Sequence, residues 1–283
     1  MTKDTDESRP GSLEDDIGLE EVEVLTNGSG HDKTGIADED SSFVVQETRQ
    51  VLPIPLERFK RILVIGLGGI GTALLPHLCR YLVYSELPNR RIPLFLFDGD
   101  DFEGRNRERQ DFQGSGNKAM VKSSEMRHLF PELSIRAVPE YITPENIGFY
   151  IEEGTIIFLA VDNHASRRML SQRCEGLQSA ILISGGNEWS DGNVQVYARW
   201  GGKDQTSPLT RFHPEIEEAT DTAGLFSCDE AVKSGEPQLL FTNLTAATHM
   251  LNTFYALVTE GLRYEEIYFD IIEGKSDSVS RNS

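Results

Sequence analysis

Gly66, Gly68 and Gly71 stand at G-x-G-x-x-G spacing, with Gly69 among them, directly after the apolar run Ile62-Leu63-Val64-Ile65. Glycines spaced this way let a backbone approach a phosphate. A helix beginning at the turn adds unpaired N–H groups and the positive end of its dipole. The spacing by itself is shared by many nucleotide folds, so the residues downstream have to decide the ligand. Asp98 closes the apolar run Leu94–Phe97, the position at which an acid meets ribose in nucleotide-binding α/β folds. Asn106, Arg109-Gln110, Lys118 and Asp162-Asn163 follow. Two cations and a glycine turn can hold a triphosphate. A carboxylate opposite them can hold Mg²⁺, which binds through one or two carboxylates plus phosphate oxygens. The set therefore suits ATP with Mg²⁺ better than NAD, which needs neither the second cation nor the metal.

The elements that must position these groups are legible as alternation. Apolar stretches at 62–66, 94–97, 135–138, 155–161 and 180–183 read as strands. Helical spacing covers about 70–84, Lys118–Phe130 and His164–Leu177. A β-α-β-α rhythm predicts an α/β, Rossmann-like, doubly wound, mostly parallel sheet with its ligand at the C-terminal strand ends, where Asp98 and Asp162 fall. The last third changes character. Val194–Trp200 alternates as a half-exposed strand does, 201–235 reads as a long polar loop, Leu239–Val258 has helical spacing, and a strand over Glu266–Ile272 precedes a polar tail. These residues predict a C-terminal antiparallel extension.

Among 283 residues the net charge is −19, and the first fifty hold 14 Asp/Glu against 4 Lys/Arg, so −10 of it sits there. Residues 1–50 read as an acidic tail and lead-in and 51–283 as the folded domain; 1–42 are too polar to offset the entropy of ordering, while the apolar residues of 43–60 are expected to form an extended lead-in that packs on the domain or on a second subunit. Arg49 and Arg58 lie in or beside the lead-in. Such acidity argues against nucleic acid or an anionic membrane as the main partner. Cys79, Cys174 and Cys228 form no C-x-x-C pair, so neither a zinc site nor a disulfide framework is expected. With no secretory signal and no spanning segment in the sequence, a cytoplasmic protein is expected. Arg167 is read as a helix-surface ion pair and Cys79 and Cys174 as packing thiols. Trp189 and Trp200 are left open between packing and a partner patch.

Together, Gly66-x-Gly68-Gly69-x-Gly71, Asp98-x-Asp100, Asn106-x-x-Arg109-Gln110, Asn117-Lys118-Ala119 and Asp162-Asn163 resemble, in this order, the ubiquitin-activating-enzyme-like superfamily of ThiF/MoeB/HesA adenylyltransferases. The resemblance runs from about Phe59 to Ile272. Ser227-Cys228-Asp229-Glu230-Ala231 with Leu240-Phe241-x-Asn243 also looks like the PRTRC branch of ThiF proteins. The resemblance implies an enzyme that binds Mg·ATP and adenylates a carboxyl group, often the C-terminal glycine of a ubiquitin-like protein. It implies that Asp98 binds ribose, that Asn106, Arg109 and Lys118 hold the phosphates and the transition state with Gln110 nearby, and that Asp162 holds Mg²⁺. It also implies a homodimer, with Arg49 or Arg58 as candidates to enter the neighbouring site, and Cys228 as a candidate acceptor thiol. Two features depart from the family pattern: the zinc pairs of many members are missing, and Glu103-Gly104-Arg105 is charged where an apolar run is usual. Lys122 competes with Lys118, which the Asn-Lys-Ala context favours. The rivals are an NAD(P)-dependent oxidoreductase, a nucleotide-binding scaffold without turnover, and an enzyme acting on a small molecule or a modified tRNA base.

Overall fold

A computed structural model describes residues 50–51, 53–85, 92–221 and 239–281, all within one compact unit, Gln46–Ser283. Five parallel strands form its centre: β1 (Arg61–Ile65), β2 (Leu94–Phe97), β5 (Ile135–Val138), β6 (Thr155–Leu159) and β7 (Ala180–Asn187). Their order across the sheet is β5-β2-β1-β6-β7. Counting only these strands in chain order gives 3-2-1-4-5, the doubly wound order, which reverses direction between β1 and β6. Ligands bind in the crevice beyond the strand ends at such a reversal, and the glycine turn leaves β1 there.

The strands are apolar throughout because both faces are covered. Ile62, Val64, Leu94, Leu96, Ile156 and Phe158 point to one face, under α1 (Gly69–Tyr84), α2 (Lys118–Leu129) and α6 (Leu240–Thr259). Leu63, Ile65, Phe97, Ile157, Leu159 and Leu182 point to the other, where α4 (His164–Glu175) packs Leu170 and Cys174. The short helices α3 (Ile147–Tyr150) and α5 (Pro214–Glu217) lie over this second face. The lead-in closes on its own domain. Val51 bridges Leu262, Ile54 donates to the Leu257 carbonyl (2.9 Å), and Phe59 lies 5.8 Å from the half-buried Trp200 ring.

Antiparallel strands complete the sheet. β8 (Asp191–Trp200) pairs with all of β7, followed by β10 (Glu266–Asp270) and β11 (Lys275–Val279), while β9 (Lys203–Asp204) pairs with β8 from the side. A small ribbon joins β3 (Asp101–Phe102) to β4 (Gly116–Asn117). Several strand boundaries differ from the sequence expectation. β8 begins at Asp191, three residues before the expected start, and β6 and β10 each stop two residues short. β7 continues beyond Ile183 through Ser184-Gly185-Gly186-Asn187, and β11 lies where a polar tail was expected. The long loop is interrupted by β9 and α5, and its residues 222–235 lie outside those described. Among the described residues no helix is long and apolar enough to cross a membrane.

Candidate active site

The chain turns sharply at Gly66, whose φ of +90° falls in the left-handed region. A Cβ there would lie 2.5 Å from the Ala160 carbonyl oxygen, and one at Gly71 would lie 2.0 Å from that of Gly66. The turn can only close with glycine at both places. It delivers the start of α1, which has no acidic side chain in its first turn and no side-chain cap. The orphan N–H groups of a helix end are left to an anion.

Asp98 is tied directly to this turn. Its Oδ2 accepts from the Leu67 N–H at 2.7 Å and its Oδ1 from the Asp100 N–H at 2.9 Å. Burial pushes its carboxyl above the ordinary range, against the opposing pull of Lys118 and of these two amides. Asp100 in turn accepts from Lys118 Nζ at 2.9 Å and from the Tyr141 hydroxyl. Asn117 binds the Asp98 and Asp100 carbonyls at 2.9 and 3.1 Å while its Oδ1 caps α2 at Met120 N–H. Glycine turn, acid and lysine thus form one hydrogen-bonded unit. Lys122, the competing lysine, is turned away to Glu125 (2.7 Å) and over the Phe112 ring.

Asn106 ends a short 3₁₀ turn, Gly104–Asn106, Arg109 and Gln110 come just after it, and all three are buried. Arg109 donates to Asn106 Oδ1 at 3.1 Å, and both amide atoms of Gln110 lack a hydrogen-bond partner among the described residues. Asp162 follows β6 and sits where the cleft opens to solvent. Desolvation by the surrounding wall raises its carboxyl above the ordinary range, aided by Asp100 and opposed by Arg167 and Lys118. Asn163 caps α4 through Ser166 N–H at 2.7 Å, and Asp221 accepts from the His164 and Ala165 N–H groups at 2.8 and 3.0 Å.

Arg167 corrects the sequence expectation of a helix-surface ion pair. It is buried, donating to Ser184 Oγ (3.2 Å) and to the Val161 and Gly185 carbonyls (3.0 and 3.2 Å). Burial lowers its guanidinium from its ordinary value, while Asp162 and Glu215 work to raise it. Helical spacing places Arg167 one turn beyond Asn163 but does not show that β7 would cover it. Asn243, noted only as part of a motif, is fully buried with its amide against Gly69, so close that a Cβ there would lie 2.2 Å from Nδ2. Arg58 lies before β1, at the opposite end of the strands from the glycine turn. Arg49 and Cys228 lie outside the described residues. Cys79 and Cys174 are buried, and burial pushes both thiols up to about 12, which leaves them protonated and unreactive.

Two cavities meet here. A slot of about 50 Å³ is lined by Gly66, Gly68, Asp98, Tyr141, Ile142 and Asp162. A chamber of about 330 Å³ lies beside it, against the start of α1, Arg167, the β7–β8 hairpin and α5. Gly68, Ala160, Val161 and Asp162 line both.

At the far side of the chamber, His213 links α5 to the sheet. Its Nδ1 meets Glu215 Oε1 at 2.7 Å and its Nε2 meets Glu266 Oε2 at 3.0 Å. Burial lowers its affinity for a proton, but the two carboxylates outweigh that and hold it above its ordinary value. A histidine raised on folding stabilises fully below its unfolded pKa, and that contribution is lost as pH rises through the folded one. The wild-type Tm should therefore fall relative to that of His213→Gln as pH rises above the ordinary histidine value and through the raised folded one. Parallel pH profiles of the two melting curves would refute this coupling.

A reversal-point glycine turn, an acid at the next strand end and a buried lysine define a nucleotide-binding α/β protein. The family can be stated as well: the ThiF family model matches residues 55–256, and the chain belongs to the ThiF family. Among curated proteins, the adenylyltransferase and sulfurtransferase UBA4 of Lodderomyces elongisporus is 25% identical over 178 residues, 61% of this chain and 36% of that protein. The tRNA threonylcarbamoyladenosine dehydratase of Haemophilus influenzae is 28% identical over 145 residues, 49% of this chain and 52% of that one. The sulfur carrier protein ThiS adenylyltransferase of Escherichia coli is 25% identical over 128 residues, 44% and 48% of the two chains. This chain thus spans about a third to a half of the length of these relatives. The solved microcin C7 biosynthetic enzyme MccB, in complex with N-formylated MccA, matches with a TM-score of 0.59 at 17% identity, covering 80% of this chain and 66% of that one. Escherichia coli MccB with ATP gives 0.57 at 18%, covering 80% and 65%. At such identity the likeness shows the fold, which is the Rossmann-like one expected from the sequence.

Proposed function

We propose that this protein is an Mg·ATP-dependent adenylyltransferase that activates the C-terminal carboxylate of a ubiquitin-like protein or peptide. The observation that carries this reading is the single hydrogen-bonded unit from the glycine turn through Asp98 and Asp100 to Lys118, next to a chamber that shares Gly68 and Asp162 with the nucleotide slot. Glycines that no side chain can replace and an uncapped helix start fit the phosphates of ATP. Asp162 offers an oxygen ligand of the kind Mg²⁺ takes alongside phosphate oxygens. Relatives named for adenylyl transfer, and the MccB structures with ATP and with MccA, support the same assignment.

In this assignment Mg·ATP supplies an electrophilic α-phosphorus and a pyrophosphate leaving group. Gly66, Gly68, Gly69 and Gly71 shape the phosphate cradle, and Asp98 turns from the Leu67 amide to the ribose hydroxyls. Lys118, released from Asp100, joins Arg109 and Asn106 in holding the charge that develops, with Gln110 alongside. A carboxylate nucleophile needs no general base, so positioning and charge neutralisation supply the rate. A dehydrogenase would use the turn and Asp98 but would have no use for Arg109 and Lys118. The direct test is ATP–pyrophosphate exchange with candidate ubiquitin-like proteins. Calorimetry that detects NAD but not Mg·ATP would reverse the reading.

The proposal extends to a cytoplasmic homodimer in which Arg49 or Arg58 reaches the neighbouring site. Arg58 stands at the wrong end of its own sheet to serve its own site. Sedimentation at micromolar concentration should report the dimer mass; a fully active monomer would remove this part. Cys228 is proposed as the acceptor thiol of a second step, with Cys79 and Cys174 unsuited by burial. A reductant-sensitive conjugate should form with Mg·ATP and the cognate partner, and Cys228→Ala should lose it while keeping pyrophosphate exchange. A conjugate that survives the substitution excludes the role.

A further inference from the structure

The chamber beside the nucleotide slot carries a group of hydrogen-bond acceptors on the side of the β7–β8 hairpin and α5, across from the start of α1 and Arg167. Glu188 and Asp191 flank the β7–β8 turn, closed by Glu188 N–H donating to the Asp191 carbonyl at 3.0 Å. Their carboxylates are exposed and make no hydrogen bond or ion pair among the described residues. Glu215 adds a third carboxylate, held by His213. Gln195 stands deeper, in a row that runs across three strands from Ser184 through Gln195 to Glu266. It is only 3% exposed, lines the chamber, and its Oε1 has no partner. A buried carbonyl oxygen without a donor is costly unless a ligand supplies one.

The cationic side of the chamber is Arg167, whose Nε lacks a hydrogen-bond partner among the described residues. The terminal nitrogens of Arg167 are bonded to Ser184 and to two backbone carbonyls, and a Cβ on Gly186 would lie 2.3 Å from Nη2. The Glu188, Asp191 and Gln195 oxygens thus face the chamber without a protein donor. Among the described residues no three acidic, histidine or cysteine side chains gather closely enough to hold a metal ion, so this cluster is not a metal centre. A volume of about 330 Å³ is at the small end for ligand pockets, ~300–1,000 Å³. It admits a short stretch of chain rather than a folded partner.

Building on the adenylyltransferase reading, we infer that the activated carboxylate belongs to a tail carrying a lysine or arginine close to its reacting end. The carboxylate lies at the Gly68–Asp162 junction, and the basic side chain donates to Gln195 and to the carboxylates of Glu188 and Asp191. Such a group satisfies the orphaned carbonyl and neutralises the paired acids, whereas an acidic tail meets like charge. The net charge of −19 also draws a basic tail toward the protein.

The test uses the full-length protein and tripeptides ending in a free carboxylate: Lys-Gly-Gly, Gly-Lys-Gly, Ala-Gly-Gly and Glu-Gly-Gly. Binding is measured by calorimetry and turnover by Mg·ATP-dependent pyrophosphate exchange. At least one lysine peptide should bind about tenfold or more tighter than Ala-Gly-Gly, and Glu-Gly-Gly more weakly still. The doubly substituted E188Q/D191N protein, altered only at exposed positions of the β7–β8 hairpin, should lose this preference while keeping its affinity for Mg·ATP. Equal binding of all four peptides, no binding of any, or a preference unchanged in E188Q/D191N would overturn the inference. Selective binding of a lysine peptide without any exchange would instead overturn the adenylyl-transfer reading, so the two fail separately.

Discussion

Replacing Asp162 with alanine is expected to abolish ATP–pyrophosphate exchange and leave the fold intact. Asp162 follows β6 at the mouth of the cleft and contributes nothing to either apolar core. Its helix-capping neighbour is Asn163, so α4 keeps its cap in the variant. Stability should not fall and is expected to rise slightly at neutral pH. The carboxyl holds its proton more tightly in the folded chain because desolvation raises it. Folding is then favoured at pH below the ordinary carboxylate value and loses that advantage as pH rises through the folded value. Removing the carboxyl removes this loss. Urea unfolding and exchange assays check both halves, and near wild-type exchange in Asp162→Ala would sink the assignment.

Lys118→Met is expected to lower kcat about a hundredfold or more, the scale for losing one preorganised charge-stabilising group. Lys118 is 2% exposed and its ammonium is 2.9 Å from Asp100. Losing one partner of a buried pair also destabilises, by about 3–5 kcal/mol when both charges are fully buried. The effect should be smaller here, because Asp100 keeps its Tyr141 contact and some solvent. Adding Asp100→Asn should therefore recover stability in the double variant without recovering kcat. Arg109→Ala, which breaks the 3.1 Å bond to Asn106, should show a similar kcat loss. A change confined to KM would mean that these cations bind only the ground state.

The sequence by itself determined the parallel core and where the glycine turn and Asp98 stand in it. Runs such as Ile62–Ile65 and Thr155–Leu159 are apolar at nearly every position because both sheet faces are covered, and a pattern that strong is visible locally. The glycine turn and Asp98 were legible for the same reason, since backbone geometry and strand-end position are local properties. The tertiary structure alone decided the rest. Ser184-Gly185-Gly186-Asn187 carries no apolar period, yet it extends β7 because the whole of this stretch pairs with β8 and Met250 and Arg167 pack against its glycines. Polar β11 is a strand because its backbone pairs with β10. Arg167 is buried because that extended β7 lies across it, and the chamber exists because α1, α5 and the β7–β8 hairpin converge from distant parts of the chain. Hydrophobic periodicity records which side chains leave water. It does not record which distant backbone a polar or glycine-rich strand will pair with, and that pairing is what shapes the chamber.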